Sequence, residues 1–413
     1  MTEKNPLVKW IFEKTGGLGI REYQLKKLKE VLRYTNTNST FYKKHFQNID
    51  IESLTGFDKF EKLPFTTEKD LSEQGTKMLC VPQNEIERIV TLQTSGTAGE
   101  PKRVYFTAED QELTVDFFNT GMRCLISKKD NFMILLPYKT PGSVGDLLRL
   151  GLERLGCGVF PYGQIDCYGD ACEFIKKNAI TSLVGNPVQV LKLAEAAKIN
   201  GVEIKLNNIL LSTDYVPDVI VNRLEKLWGC NVFEHYGMTE MCFGGGVFCK
   251  FLTGYHMREA DLYFEIISEN GQRLPDGEYG EVVFTTLTRT GMPLIRYRTG
   301  DYGRFLPERC ACSPDLKLME KIKRRVDGGV SIGNNTFYIG DFDEMIFSCE
   351  KVVDYILEII NGKINIEITT GNDIINGRDS EKELKKRTIK TGGKHGYGAK
   401  DKRNRVGMPE TDH

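Results

Sequence analysis

Thr91-Leu-Gln-Thr-Ser-Gly-Thr-Ala-Gly-Glu-Pro-Lys102 packs hydroxyl side chains around two glycines and closes on a lysine. It reads as a loop that holds phosphate. Gly96 and Gly99 tolerate positive φ and let main-chain N–H groups approach an anion, Thr94, Ser95 and Thr97 add hydroxyl donors, and Lys102 adds charge. The spacing is not that of the nucleoside-triphosphatase loop, which ends Gly-Lys-Ser/Thr and opens a helix. Pro101 favours an extended exit instead, and the β-prone runs at 89–92 and 103–106 make the loop a connection between two strands.

Three later segments carry matching chemistry. Phe233-Glu-His-Tyr-Gly-Met-Thr-Glu240 follows a strand-like run and offers Tyr236 to cover a flat base and Glu240 to hold Mg²⁺ through oxygen. Arg296-Tyr-Arg-Thr-Gly-Asp301 ends in a carboxylate suited to two ribose hydroxyls, and Lys323-Arg-Arg-Val-Asp-Gly-Gly329 sets basic side chains before a paired-glycine break. Each segment alone has a plainer reading as a turn, a strand end or a helix cap. Their order along one chain points to a nucleotide site.

As an ordered set the four segments resemble the adenylate-forming superfamily of acyl- and aryl-CoA synthetases. The run from Thr285 to Asp301, followed by Cys310-Ala-Cys312, is similar to its phenylacetate-CoA ligase branch. The resemblance implies ATP-dependent activation of a carboxylic acid as acyl-adenylate, then transfer to coenzyme A, with a carrier-protein or enzyme thiol as the alternative acceptor and a non-catalytic nucleotide-binding regulator as a further reading. It implies that Thr94 to Lys102 grip the β- and γ-phosphates, Thr239 the α-phosphate and Glu240 the Mg²⁺. Tyr236 covers the adenine and Asp301 the ribose, and His235, Gly237 and Arg325 are expected among the nucleotide-binding residues. The acid pocket is expected from 136–143 and 212–215, with His235 and Gly237 nearby and with Tyr138, Gly142, Ser212 and Asp214 as its named residues. An aryl or related small acid suits Tyr138 and the glycine breaks.

Composition agrees with this reading. A chain of 413 residues exceeds one compact core. Apolar content of 40% with 27% charge is that of a globular protein, and a net charge of −1 gives no reason to expect nucleic acid or a membrane surface as partner. The N-terminus lacks the order of a signal peptide, so a cytoplasmic location is expected. Eleven cysteines without a dense framework fit a reducing compartment. A homodimer is common in the branch resembled.

Strand-like runs at 131–136, 180–184, 209–211 and 230–233 alternate with amphipathic stretches at 188–199 and 217–228, which predicts an α/β fold of layered sheets. Residues 17–48 read as helical, and a β-rich subdomain is expected over about 262–320. The large domain is placed at 1–322. A small mobile α+β C-terminal domain is placed at 323–413, with its hinge near Asp327 and a basic tail from about 376. In that tail Lys394 is either the superfamily's catalytic lysine or one charge among many.

Cys249, His256, Cys310 and Cys312 make a complete tetrahedral Zn²⁺ donor set, with Cys242 as a substitute ligand. The alternative is that these are buried apolar thiols and a core histidine.

Overall fold

A computed structural model describes residues 5–92, 101–313, 315–332, 334–360 and 363–375. Two strands flank the opening motif, β1 (Arg88–Leu92) and β2 (Lys102–Phe106), and they pair antiparallel with Leu92 opposite Lys102. The loop therefore closes a hairpin, and Lys102 is the first residue of the returning strand. Thr94, Ser95, Gly96, Thr97 and Gly99 lie outside the described residues, as do Lys394 and the basic tail.

The main sheet is built from short, apolar strands: β3 (Asn131–Ile134), β4 (Gly158–Pro161), β5 (Ser182–Gly185), β6 (Asn208–Leu211) and β7 (Asn231–Tyr236), all parallel. Their side chains alternate between two cores, as the two-residue period of a strand requires. Phe132, Ile134, Val184, Leu210 and Phe233 face the helices Ala108–Met122 and Val144–Leu155. Met133, Leu183, Ile209, Leu211 and Val232 face the helices Tyr168–Lys177, Pro187–Ile199 and Asp218–Trp228. A parallel sheet covered on both faces explains why these runs read as continuously apolar. After β7 the chain reverses into antiparallel β8 (Gly246–Phe248) and β9 (Tyr255–Met257).

A second sheet follows from β10 (Leu262–Ile267), β11 (Gly280–Thr286) and β12 (Tyr297–Gly303), which form an antiparallel meander. β13 (Leu318–Met319) returns to the main sheet beside β9, and β14 (Arg324–Arg325) pairs with β12. The described order in the larger sheet is β13-β9-β8-β7-β6-β5-β3-β4 and in the smaller one β10-β11-β12-β14. The expected helix at 17–48 is broken into Ile20–Asn38 and Thr40–His45, because Ser39 turns extended and caps the second piece by accepting from Tyr42 N–H.

The C-terminal segment runs β15 (Val330–Ile332), β16 (Asn335–Phe337), helix Ile339–Phe347, β17 (Val352–Ile360) and β18 (Lys363–Thr370). Its buried apolar side chains Phe342, Ile346, Phe347, Val352 and Tyr355 join the core beneath helices 187–199 and 218–228. Polar contacts fix the docking. Glu344 caps helix 218–228, accepting from Asp218 N–H at 2.7 Å and Val219 N–H at 3.1 Å. Arg223 donates to the carbonyls of Val352 and Glu350, each at 2.7 Å, and Lys192 pairs with Asp354 at 2.9 Å in a buried contact.

Candidate functional site

The C-terminal ends of β3, β5, β6 and β7 open toward the hairpin and the second sheet, the edge at which open α/β sheets bind ligands. The loop after β7 makes this edge. Gly237 sits so close to the returning chain that a Cβ there would lie 2.1 Å from the Phe243 carbonyl oxygen. Cys242 and Phe243 then adopt left-handed φ of 56° and 63°, and Phe243 N–H bonds back to Met238 O at 3.0 Å. Within this tight reversal Thr239 and Glu240 stand on one short helical turn, both side chains buried.

Glu240 meets Lys102 at 2.7 Å and accepts from Tyr297 O–H at 3.2 Å. Lys102 also lies 3.2 Å from Glu68. Burial pulls the ammonium's pKa down, but the two carboxylates outweigh it and leave Lys102 above its ordinary range. Burial likewise pushes Glu240 up, and Lys102 more than offsets that, so Glu240 sits below the usual carboxylate range. The pair is fully ionised near neutrality.

A second group forms along β12. Tyr236 O–H donates to Asp301 at 2.9 Å, and Arg325 reaches the other carboxylate oxygen at 3.2 Å while donating to Thr299 O at 2.8 Å. The Asp301–Arg325 opposition is the β12–β14 register itself. Burial raises the Asp301 pKa, and Arg325 counters part of that. One base-sized ring, one carboxylate and one guanidinium are thus set beside the ionised Lys102–Glu240 pair.

Arg289 ties the Glu240 turn to the hairpin, donating to Glu240 O at 3.1 Å and Tyr105 O at 2.6 Å. Asp110 accepts from Thr290 and Gly291 N–H at 3.0 and 3.1 Å, which holds the same loop against helix 108–122.

Next to these groups lies a narrow recess of about 30 Å³. Phe117, Phe118, Leu148, Val184, Leu210 and Val247 are among its walls, and Ser212 and His235 add its nitrogen- and oxygen-bearing side chains. The chemistry of this lining is apolar apart from Ser212 and His235.

An AMP-binding enzyme model matches residues 32–288, more than half of the chain. The chain belongs to the AMP-binding enzyme family. This AMP-binding enzyme is 28% identical over 347 residues to the phenylacetate-coenzyme A ligase of Pseudomonas putida, covering 81% of this chain and 76% of that protein. It is 28% identical over 358 residues to the phenylacetate-coenzyme A ligase of Aromatoleum evansii, covering 84% and 80%. Among solved structures, 2-hydroxyisobutyryl-CoA ligase in the postadenylation state in complex with 2-HIB-AMP matches with a TM-score of 0.76 at 19% identity, over 89% of this chain and 81% of that one. The anthranilate CoA ligase AuaEII in complex with anthranoyl-AMP matches at 0.52 and 15% identity, over 74% and 60%. At these identities the structural likeness speaks for the fold alone.

Of the expected nucleotide-site residues of this AMP-binding enzyme, Lys102, His235, Tyr236, Gly237, Thr239, Glu240, Asp301 and Arg325 converge at one edge. The four expected pocket residues do not converge. Ser212 lines the recess, but Tyr138 packs against Gly163, where a Cβ would sit 3.4 Å from its ring. Gly142 serves a turn at φ 74°, its N–H bonded to Asp146 at 2.9 Å, and Asp214 is exposed. Leu136 and Ser212 from the two expected segments line the recess, and helices 108–122 and 144–155 and strand ends supply the other walls.

Glu68 and Tyr297 entered the site unannounced. Thr66 bridges to Tyr297, and Thr67 and Asp70 form a capping box that starts helix Glu68–Gln74, so Glu68 is delivered to Lys102 from the first turn. The capping box was a readable helix start, but nothing in it names the lysine.

Cys249, His256, Cys310 and Cys312 offer ligand atoms that all lie within 4.8 Å of one another. The β9–β13 pairing, with His256 opposite Leu318, brings the two halves together. Cys242 does not belong to this group. It is buried in the loop after β7, where its carbonyl accepts from the Thr114 hydroxyl at 3.1 Å. Among the described residues no helix is long and apolar enough to cross a membrane.

Proposed function

We propose that this chain is an AMP-forming acid–thiol ligase that activates an aryl or related small carboxylic acid as its acyl-adenylate and passes the acyl group to coenzyme A. The observation that carries the reading is the adjacency of the ionised Lys102–Glu240 pair, the Tyr236–Asp301–Arg325 group and an apolar recess, in a chain of the AMP-binding family with phenylacetate-coenzyme A ligases among its relatives.

In the first half-reaction a carboxylate oxygen attacks the α-phosphorus of ATP, and the bond to the leaving pyrophosphate breaks. In the second, a thiolate sulfur attacks the acyl carbonyl and AMP departs. Little covalent work falls to the protein, whose task is positioning two anions and offsetting charge in a water-poor cleft. Lys102 supplies a fixed positive charge at the end of the phosphate loop. Thr239 places a hydroxyl beside Glu240, Tyr236 covers the base, and Asp301 accepts from the ribose hydroxyls with Arg325 holding its orientation.

Glu240 is the group suited to Mg²⁺, because it is a buried, ionised carboxylate whose other contacts are a lysine and a phenol. When bound, the ion neutralises phosphate charge.

The Cys249, His256, Cys310 and Cys312 group suits a structural Zn²⁺. Sulfur–sulfur separations of 3.1, 3.7 and 3.9 Å and a Cys312–His256 Nε2 contact of 3.3 Å bracket the edge of a tetrahedron with metal–sulfur bonds of about 2.3 Å. Donors aim at the sulfurs as they do at thiolates. Phe251 N–H lies 3.5 Å from Cys249 Sγ, Cys312 N–H 3.5 Å from Cys310 Sγ, and Asn5 Nδ2 3.4 Å from Cys312 Sγ. A metal there would pin the end of β8, β9 and the segment before β13 together.

The C-terminal segment is proposed to swing about Asp327, with its docking on helices 187–199 and 218–228 as one end of the motion. Left-handed Gly328, at φ 93°, supplies a backbone break beside Asp327. The reading is tested by incubating protein with Mg·ATP and a panel of aryl and short aliphatic acids in the presence of hydroxylamine. Acid-dependent hydroxamate with AMP release, diverted to thioester by coenzyme A, supports it. ATP binding with no acid-dependent AMP refutes it.

A further inference from the structure

His235 is the wall of the recess with an unused polar atom. Its Nδ1 lies 3.0 Å from Ser212 Oγ, and its Nε2 is buried with no partner among the described residues. Apart from these two side chains the lining is apolar. A buried polar atom left unmatched is costly, and native proteins rarely keep one without a use.

The ring cannot easily turn away. Phe118 packs edge-on against it at 6.2 Å and 72°, and on the other side Gly237 lies so close that a Cβ there would be 2.9 Å from His235 Cε1.

Burial lowers the imidazole pKa to about 4, so the ring is neutral and carries one N–H. Ser212 decides which nitrogen holds it. Among the described residues Nδ1 is the acceptor within reach of the Ser212 hydroxyl. We take the hydroxyl as the donor to Nδ1, which places the proton on Nε2. The unpaired N–H of the ring is then Nε2–H, on a side chain that lines the recess.

We propose that His235 reads a hydrogen-bond acceptor on the apolar body of the acid, so that the enzyme selects an acid bearing a hydroxyl, ether or carbonyl oxygen over its hydrocarbon parent. This rests on the recess being the acid pocket of an adenylating enzyme. It deepens that reading by naming the substrate as an oxygenated aryl or alkyl acid, and it makes His235 the selecting group with Ser212 as the residue that fixes its tautomer.

The test compares matched pairs, phenylacetate with its 2-, 3- and 4-hydroxy and methoxy derivatives, in wild type, His235→Leu, His235→Gln and Ser212→Ala. Acid-dependent AMP formation gives kcat/KM, and calorimetric binding of the same acids gives selectivity without catalysis. Wild type is expected to favour at least one oxygenated isomer by about tenfold or more over phenylacetate. The ratio should collapse toward one in His235→Leu, recover in part in His235→Gln, and fall in Ser212→Ala, whose imidazole is no longer held in one tautomer.

A wild-type preference for the hydrocarbon parent overturns the proposal. So does a His235→Leu variant that weakens every acid by the same factor, since the imidazole would then serve the shared carboxylate or the fold. Absence of AMP formation with every acid, alongside selective calorimetric binding that His235→Leu abolishes, would remove the adenylation reading and keep this one.

Discussion

Replacing Lys102 with methionine should cost more than replacing its partner Glu240 with glutamine. Both side chains are nearly enclosed, 13% and 2% exposed, and they meet at 2.7 Å. Removing one partner of such a buried pair typically costs about 3–5 kcal/mol, because the other charge is left unmatched in a poorly polarisable site. The two removals are not equivalent here. Lys102 keeps Glu68 at 3.2 Å, on a side chain 38% exposed to water, so Glu240→Gln should cost about 2–3 kcal/mol. Glu240 keeps the Tyr297 hydroxyl at 3.2 Å, which is no counter-charge, so Lys102→Met should cost the full range. The double variant should recover about 2–3 kcal/mol relative to the sum.

Denaturant unfolding of the nucleotide-free protein, with midpoints compared at unchanged slope, reads all three values. The pH dependence has a fixed sign. In wild type the Glu240 carboxyl is held below its ordinary 4.5, so its contribution is present above that value and is lost as pH falls below it. Without Lys102, burial raises the same carboxyl, and its penalty is relieved as pH falls from 8 to 5. The Lys102→Met deficit should therefore narrow over that interval. Single effects that add within about 0.5 kcal/mol, or a deficit that widens on acidification, would refute the reasoning.

Three further outcomes follow from other parts of the molecule. Protein purified without added zinc should carry close to one equivalent per chain, and Cys310→Ser should lose it and unfold at lower temperature; metal content near zero would leave the cysteines as apolar packing. Neutral burial of His235, with its pKa lowered to about 4 from 6.5, withholds a proton that the unfolded chain takes up. Between those values stability should fall with decreasing pH by up to about 1.4 kcal/mol per unit for this group, and His235→Phe should show a shallower acid-side slope than wild type. Arg223→Ala breaks the bonds to the Val352 and Glu350 carbonyls, so limited proteolysis between β14 and helix 339–347 should quicken several-fold with Mg·ATP absent; an unchanged cleavage rate would mean the apolar core of Phe342 and Phe347 holds the segment alone.

The opening motif was legible because Pro101 excludes a helix and the flanking runs are β-prone, and the hairpin with Leu92 opposite Lys102 is what that chemistry dictates. The alternating apolar runs gave the buried parallel strands for the same local reason. The metal-ligand geometry was legible only as a donor set, since its closure depends on β9 pairing with β13 far along the chain. Glu68 was invisible because its approach to Lys102 is made by the Thr66–Tyr297 bridge, a long-range contact with no local signature.

The recess overlaps the expected acid pocket in part: Leu136, Ser212 and His235 line it, and Tyr138, Gly142 and Asp214 do not. Gly142, the single glycine of 136–143, suggested room, yet it serves a turn; Leu136 from that segment does line the recess, beside Phe117, Phe118 and Leu148 on two helices. An apolar helix face reads the same whether it meets a core or a cavity. His235 carried no local sign that its Nδ1 would be taken by Ser212 and its Nε2 left open, because that depends on β6 and β7 lying side by side.

The measurement that bears most directly on the whole account is acid-dependent exchange of labelled pyrophosphate into ATP, run with Mg²⁺ across aryl and short aliphatic acids, in wild type and Glu240→Gln. The account predicts exchange with an aryl or related small acid, with a rate at least about a hundredfold lower in the variant. Exchange with no acid by a folded, ATP-binding protein would contradict it, as would a variant that exchanges at the wild-type rate.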